Sequence, residues 1–369
     1  MRVLMLSTDQ NIFKTDSAAR ERMKDYGTIA DELHIIVYTN KLTTNNSQPT
    51  TLTDNVFIYP TNSKFKFFYF RDAYKISKPL VVSRKLSVIT AQDPFETGLV
   101  GYLLKRKFQL PLQIQIHTDF LSPYFWRESI KNKLRVLLAK WLIPKADGIR
   151  VVSQRIADSL RSKIRDQRSK ITILPIFVDV QKIKNTPVKT DLHKKYPNHD
   201  FIILMASRLT REKNIGMVIE AISNIKNPLL LIVGDGPEIK NLQLTTYNLE
   251  LQNSVKFEPW SSDLISYYKT ADLLLLTSNY EGYGLTAVEA AAADLPVVMT
   301  DVGVAIGKVI PVGNIKVLTE VLEDLIVNKI AREKIIKEQN AFFRYWPTLD
   351  DYLQKLKQSW QNCCLSPKR

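Results

Sequence analysis

The chain has 369 residues, 45% of them hydrophobic and 24% charged, with a formal net charge of +15. That length exceeds one ordinary core and predicts two domains; no apolar run reaches the roughly 18 residues of a membrane span, and the first residues lack a signal-peptide pattern. The only cysteines, Cys363 and Cys364, are neighbours; such pairs rarely bridge each other, which leaves no disulfide framework and points to a reducing, cytoplasmic setting.

The charge is unevenly placed. Residues 1–182 hold 30 Lys and Arg against 16 Asp and Glu, a surplus of +14, while residues 183–369 hold 22 against 21, a surplus of +1. A basic half attracts something anionic, such as lipid headgroups or a phosphorylated acceptor.

Along the chain, short apolar runs at 2–6, 33–38, 56–59, 86–89, 112–116, 148–152 and 171–174 predict strands, with helical stretches such as 17–26 and 94–107 between several of them. The second half repeats the plan, with strands at 201–206, 229–233, 254–257, 273–276 and 296–299. Its helices are predicted at 216–225, 238–247, 265–269, 284–293 and 315–327. Strands separated by helix-length crossovers predict parallel sheets covered on both faces. Residues 179–197, polar and Lys-rich with two prolines, read as a linker. At 348–361 Leu349, Tyr352, Leu353, Leu356 and Trp360 recur at helical spacing and predict a final amphipathic helix. The expected division is therefore 1–182, 183–345 and a C-terminal helix and tail at 346–369.

The strongest chemical signal is Asn279-Tyr-Glu-Gly-Tyr-Gly-Leu-Thr-Ala-Val-Glu289, which follows a predicted strand and opens an alanine-rich helix. Gly282 and Gly284 let backbone approach a ligand closely, and the helix start offers free N–H groups suited to phosphate. Glu281 precedes that helix and Glu289 lies about two turns into it, both suited to accept hydrogen bonds from hydroxyls. The second signal is Ala206-Ser-Arg-Leu-Thr-Arg-Glu-Lys-Asn214, directly after another predicted strand. Arg208 and Lys213 there can neutralise a diphosphate leaving group as a bond to it breaks. No Asp-x-Asp pair occurs in the chain, so no metal is expected. Trp260 reads first as a packing residue, with a place beside a bound base as the alternative.

These segments resemble family 4 of the glycosyltransferases, whose Glu-x7-Glu motif is matched by Glu281 and Glu289. Val233-Gly-Asp-Gly-Pro237, Val255-Lys-Phe257 and the stretch 268–278 fit the same family in order and spacing, as do 149–153 and 173–179 more loosely. The resemblance implies an α/β, GT-B architecture: two Rossmann-like domains facing across a cleft, with the C-terminal helix packing back on the N-terminal domain. It implies a retaining transferase that moves a sugar from a nucleotide-diphosphate-sugar substrate, with no cofactor and no metal. By the same resemblance Arg208 and Lys213 hold the diphosphate, Glu281 and His117 contact the donor sugar, and Glu289 contacts the ribose. Gly234, Gly282, Tyr283, Gly284 and Leu285 complete the implied donor site.

Three departures stand out, one of them a segment after Gly303 that is shorter than usual in the family. The family's glycine-rich loop after the first strand is here Ser7-Thr-Asp-Gln-Asn-Ile-Phe-Lys-Thr-Asp16, without glycine, where Lys14, Ser17 or Arg20 could substitute; and Asp294 stands where a glycine is usual. Residues 64–78 place five aromatics in six positions with basic flanks, a composition suited to an anionic membrane surface, with single-stranded nucleic acid or a core-facing helix with solvated lysines as alternatives. The basic stretch 129–141 carries Ile130, Leu134, Leu137, Leu138 and Trp141 on one face and reads as an ordinary sheet-covering helix. The acceptor is expected to be a glycan or a lipid-linked molecule of bacterial envelope synthesis, reached at the inner face of the plasma membrane. A dinucleotide oxidoreductase is disfavoured because Gly-x-Gly-x-x-Gly is absent, and a GT-B epimerase by the Glu-x7-Glu context. A nucleic-acid binder would rest on charge alone, and a non-catalytic sugar-nucleotide-binding subunit would be expected to lose Glu281, Arg208 or Lys213.

Overall fold

The apolar runs of the first half assemble into an eight-stranded sheet in the computed structural model, which describes residues 1–40, 49–164, 170–223, 225 and 228–365. Its strands are β1 (Arg2–Ser7), β2 (Glu32–Val37), β3 (Thr50–Thr53), β4 (Val56–Pro60), β5 (Val88–Ala91), β6 (Leu112–Ile116), β7 (Gly148–Val151) and β8 (Lys170–Ile173). They lie in the order β3-β4-β2-β1-β5-β6-β7-β8, parallel except for β3 against β4. β3 has no counterpart in the sequence reading. It is a polar edge strand, Thr-Thr-Leu-Thr, half in solvent, so no apolar run marks it. β5 sits two residues later than its apolar run because Thr90, polar yet buried, belongs to the strand.

Helices Tyr69–Arg84, Glu96–Phe108 and Ile130–Leu142 connect strands on this sheet and pack side by side. The last of these corrects the sequence reading of 129–141. It buries Asn132, Val136, Ala139 and Leu142, whereas Ile130, Leu134, Leu137 and Trp141 are exposed. The terminal helix Leu349–Cys364 starts from a capping box, in which Thr348 and Asp351 each accept the other's backbone N–H, and it lies on β5, β6 and β7. Its Tyr352, Leu353, Leu356 and Trp360 are buried there. Accordingly the chain divides into one unit of Met1–Pro175 with Pro347–Arg369, and a second of Ile176–Trp346.

The second unit contains β9 (Phe201–Ala206), β10 (Pro228–Val233), β11 (Val255–Glu258), β12 (Leu273–Leu276), β13 (Val297–Thr300) and β14 (Lys308–Ile310), all parallel, in the order β11-β10-β9-β12-β13-β14. β9, β10 and β12 are near-continuous apolar runs because helices cover both faces, and each face has its own hydrophobic cluster. β14, two of whose three residues are exposed, left no signal. The segment 179–197, read as a linker, is instead part of this unit. It carries the short helices Val180–Asn185 and Leu192–Lys195, Leu192 is wholly buried, and Lys189 N donates to Ser266 Oγ at 2.8 Å. The boundary falls between Pro175 and Ile176, ahead of the expected position after residue 182.

Sheet order also locates the site. From β9 the chain first builds outward through β10 and β11, then returns to add β12, β13 and β14 on the other side. The loops leaving β9 and β12 therefore lie at a topological switch point, where open α/β sheets leave a crevice.

Candidate functional site

The two loops with chemical signals are those that leave β9 and β12, and they are clasped to each other. Asn279 N donates to Glu212 O at 2.7 Å, Thr277 Oγ1 to Lys213 O at 3.0 Å, and Thr300 Oγ1 pins Ser278 O at 2.6 Å. Between them lies a cavity of about 220 Å³ whose lining includes Ser207, Arg208, Lys213, Trp260, Glu281 and Thr286.

Charge in this cavity is paired both across the two loops and within the first of them. Lys213 Nζ lies 2.5 Å from Glu281 Oε1 and 3.3 Å from Glu212 Oε1. Arg208, largely in solvent, reaches Glu212 at 3.6 Å. Ser278 Oγ donates to the same Glu281 oxygen at 2.8 Å, and Oε2 receives no hydrogen bond among the described residues. Glu281 can therefore accept from an incoming hydroxyl without giving up its present partners. Tyr280 OH donates to Glu212 Oε2 at 3.2 Å, fixing the second carboxylate.

The helix Leu285–Ala292 begins at Gly284, whose φ of 88° favours glycine and which offers no side-chain cap. Leu285 and Thr286, in its first turn, line the cavity, so the partial positive charge of the helix start and two side-chain cations converge on one space. Such an arrangement binds an anion with several oxygens. Glu289, farther along the helix, accepts from Tyr268 OH at 3.1 Å. Burial and that carboxylate push the Tyr268 hydroxyl well above the ordinary phenol range, so it remains a donor.

Other expected site residues have different surroundings. Gly234 is outside the cavity lining. A Cβ on it would stand 1.9 Å from Ser207 O, and its N–H donates to Glu258 O at 2.9 Å, so it lets the loop after β10 press against the Ser207 backbone. Gly282 and Tyr283 are buried behind the loop. Tyr283 O accepts from Val304 N at 3.0 Å, and its hydroxyl has no hydrogen-bond partner among the described residues. Ser17 is occupied as a helix cap, accepting from Arg20 N at 3.1 Å and donating to Asn11 O at 2.6 Å, and Lys14 is exposed. Trp260 is about half exposed and lines the cavity, which goes against its first reading as a packing residue and agrees with the alternative of a place beside a ligand. Glu212 was missed altogether, although it sits between Arg208 and Lys213; besides these two cations it is held by Tyr280 of the other loop.

His117 stands in the first unit, just past β6, and a buried polar chain orients it. Gln115 Oε1 accepts from Arg150 Nη1 at 3.1 Å and from His117 Nε2 at 3.0 Å. A guanidinium only donates, so the Gln115 atom facing it is oxygen, His117 carries its proton on Nε2, and Nδ1 presents a lone pair. Burial, reinforced by the Arg150 and Arg22 cations, lowers the His117 pKa to about 3 and keeps the ring neutral. Arg150 also donates to Leu174 O at 3.3 Å, Pro175 O at 3.2 Å and Tyr352 OH at 2.7 Å, and Tyr352 OH lies 2.9 Å from Tyr26 OH.

The comparisons with known proteins agree with this architecture. Residues 16–182 match the family described as "Glycosyltransferase Family 4" and residues 188–341 that described as "Glycosyl transferases group 1". The alpha-monoglucosyldiacylglycerol synthase of Streptococcus pneumoniae is 28% identical over 63% of this chain and 57% of its own length. An uncharacterised glycosyltransferase of Methanocaldococcus jannaschii is 26% identical over 95% of this chain and 90% of its own. The chain thus spans less than two thirds of the Streptococcus enzyme. Among solved structures, sucrose-phosphate synthase from Thermosynechococcus elongatus superposes with a TM-score of 0.83 at 17% identity, over 98% of both chains. HepE of Anabaena, in complex with UDP and glucose, gives 0.77 at 19% identity, over 98% of this chain and 99% of that one. The chain belongs to family 4 of the GT-B glycosyltransferases.

Proposed function

We propose that this protein moves a sugar from a nucleoside-diphosphate-sugar donor to a glycan or lipid-linked acceptor, with retention of anomeric configuration. The observation that carries the reading is the convergence of Arg208, Lys213 and the uncapped start of the helix Leu285–Ala292 on the cavity that Glu281 also lines. In this reading the diphosphate takes Lys213 as a partner, its charge shared by Arg208 and the helix start, with no metal ion required. Glu281 orients the donor sugar through its hydroxyls, Glu289 holds the ribose, and the lone pair on His117 Nδ1 accepts from a further sugar hydroxyl.

As the bond between the anomeric carbon and the phosphate oxygen breaks, the acceptor oxygen bonds to that carbon on the same face. The departing phosphate oxygen takes the acceptor's proton, and the cations stabilise the charge that develops on it. The acceptor setting we favour is glycolipid or envelope polysaccharide synthesis at the cytoplasmic face of an anionic membrane, which the basic first unit approaches. The similarity to a glucosyldiacylglycerol synthase supports that setting.

A panel of nucleotide sugars, followed for sugar release or transfer, tests the reading. One donor class is expected to turn over, and Glu281→Ala to abolish most of that turnover. Wild-type rates in Glu281→Ala would overturn the assignment.

A further inference from the structure

The helix Ile130–Leu142 exposes an apolar stripe where a sheet-covering helix would bury it. Ile130, Leu134, Leu137 and Trp141 recur every three or four residues along one side, and their exposures are 77%, 62%, 56% and 47%. The helix contributes Lys131, Lys133, Arg135 and Lys140 and no acidic residue. Lys145 follows, its ammonium 4.2 Å from the Trp141 ring centre. The opposite side is small and already packed, through Asn132, Val136, Ala139 and Leu142. Around the stripe the surface is mostly apolar and basic, with two carboxylates among the cations. Glu96 pairs with Arg135 at 2.7 Å and lies 3.8 Å from Lys131, and Glu128 is exposed at the end of the preceding helix Pro123–Glu128, where Tyr124 and Trp126 are partly exposed. Tyr102 sits edge-on to Trp141 at 5.1 Å, and Leu103 beside it is partly exposed.

We propose that this helix is the element by which the first unit docks in the plane of an anionic bilayer. It names the docking surface for the membrane setting proposed above and rests on that reading. A helix lying in the interface needs an apolar side long enough to enter the acyl boundary, lysines flanking it at headgroup level, and an aromatic ring at the transition between the two. Ile130, Leu134 and Leu137 supply the first, Lys131, Lys133 and Lys140 the second, and Trp141 with Lys145 the third. The charge commits the occupant to an anionic bilayer, since a zwitterionic surface offers these lysines no net attraction. No helix among the described residues is long and apolar enough to cross a membrane, so the contact is lateral.

The test is flotation of the full chain with vesicles of phosphatidylcholine alone and of phosphatidylcholine mixed in equal parts with phosphatidylglycerol. Wild-type protein is expected to float only with the mixed vesicles and to be released by high salt. Leu134→Glu with Leu137→Glu should weaken recovery at least about tenfold, and Lys131→Glu about fivefold. Ile330→Glu, at an exposed site in the second unit, should leave it unchanged. All these positions are in solvent, and an unchanged melting temperature confirms that the variants fold. A larger loss from Phe67→Glu than from the double variant would overturn the assignment to this helix and move docking to the turn before Tyr69–Arg84. Equal flotation on both vesicle types, or a wild-type dimer that the double variant converts to monomer, would overturn the bilayer as its occupant. Turnover of a soluble donor is measured in parallel, so loss of docking is separable from loss of transfer chemistry.

Discussion

Two polar constellations, one in each unit of this protein, handle charge in opposite ways. In the second unit Lys213 lies between two carboxylates in a partly open cavity, and Arg208 is largely in solvent. In the first unit Arg150 is wholly buried, and its hydrogen bonds go to neutral oxygens of Gln115, Leu174, Pro175 and Tyr352. An ion pair near solvent can exchange partners when a ligand arrives, whereas a guanidinium tied to carbonyls and hydroxyls inside a core stays where it is. The first arrangement suits binding and release of a diphosphate. The second sets the hydrogen-bond direction of Gln115 and, through it, which nitrogen of His117 holds the proton.

The largest expected effect breaks the mobile side of this contrast. Lys213→Ala removes the cation between Glu281 and Glu212 and should lower kcat/KM for the donor by roughly 10² to 10³-fold, measured by steady-state kinetics. Next, Arg150→Met leaves the Gln115, Leu174, Pro175 and Tyr352 oxygens without their donor. It should cost about 2–4 kcal/mol in urea unfolding, while diphosphate binding by the second unit changes little. A large loss of diphosphate affinity with unchanged stability would reverse the roles assigned to the two constellations. Tyr352→Phe removes one bond to the guanidinium and should cost about 1–2 kcal/mol in the same measurement.

The smallest effect sharpens the contrast through pH. His117 has a folded pKa of about 3, below the ordinary value of 6.5, so between those values the unfolded chain binds the extra proton and the folded chain does not. This group therefore adds nothing above about pH 6.5 and lowers stability progressively as pH falls toward 3. Nitrogen-detected NMR should show a neutral Nε2–H ring throughout pH 5–8. A ring that titrates near 6.5 would contradict the buried, cation-flanked environment.

Much of this was legible in the sequence where local pattern and tertiary role coincide. Leu273–Leu276 followed by Gly282 and Gly284 marks a buried strand, a tight loop and a helix start, and each needs only its own neighbours. Glu212 was illegible because Tyr280, which fixes its carboxylate, and Glu281, which shares Lys213 with it, belong to the other loop and meet it only once the two loops are packed together. Trp260 lies in a connecting loop, with no periodicity to tell a lining ring from a packed one. The helices Ile130–Leu142 and Leu349–Cys364 show the limit most clearly. Both carry apolar stripes at helical spacing, yet one exposes its stripe and the other buries Tyr352, Leu356 and Trp360. Periodicity reveals that a face exists; which face is covered depends on the competing side. In Ile130–Leu142 the smaller residues Asn132, Val136 and Ala139 are the ones packed inward.

Titration calorimetry of nucleoside diphosphates into the wild type and into Arg208→Ala and Lys213→Ala tests the central claim most directly. One diphosphate is expected to bind, and each variant to weaken it about tenfold or more, as the loss of a charged hydrogen-bond donor to phosphate requires. Affinity unchanged in both variants, or no diphosphate binding to the wild type, would contradict a pyrophosphate site built on these two cations and the helix start at Gly284.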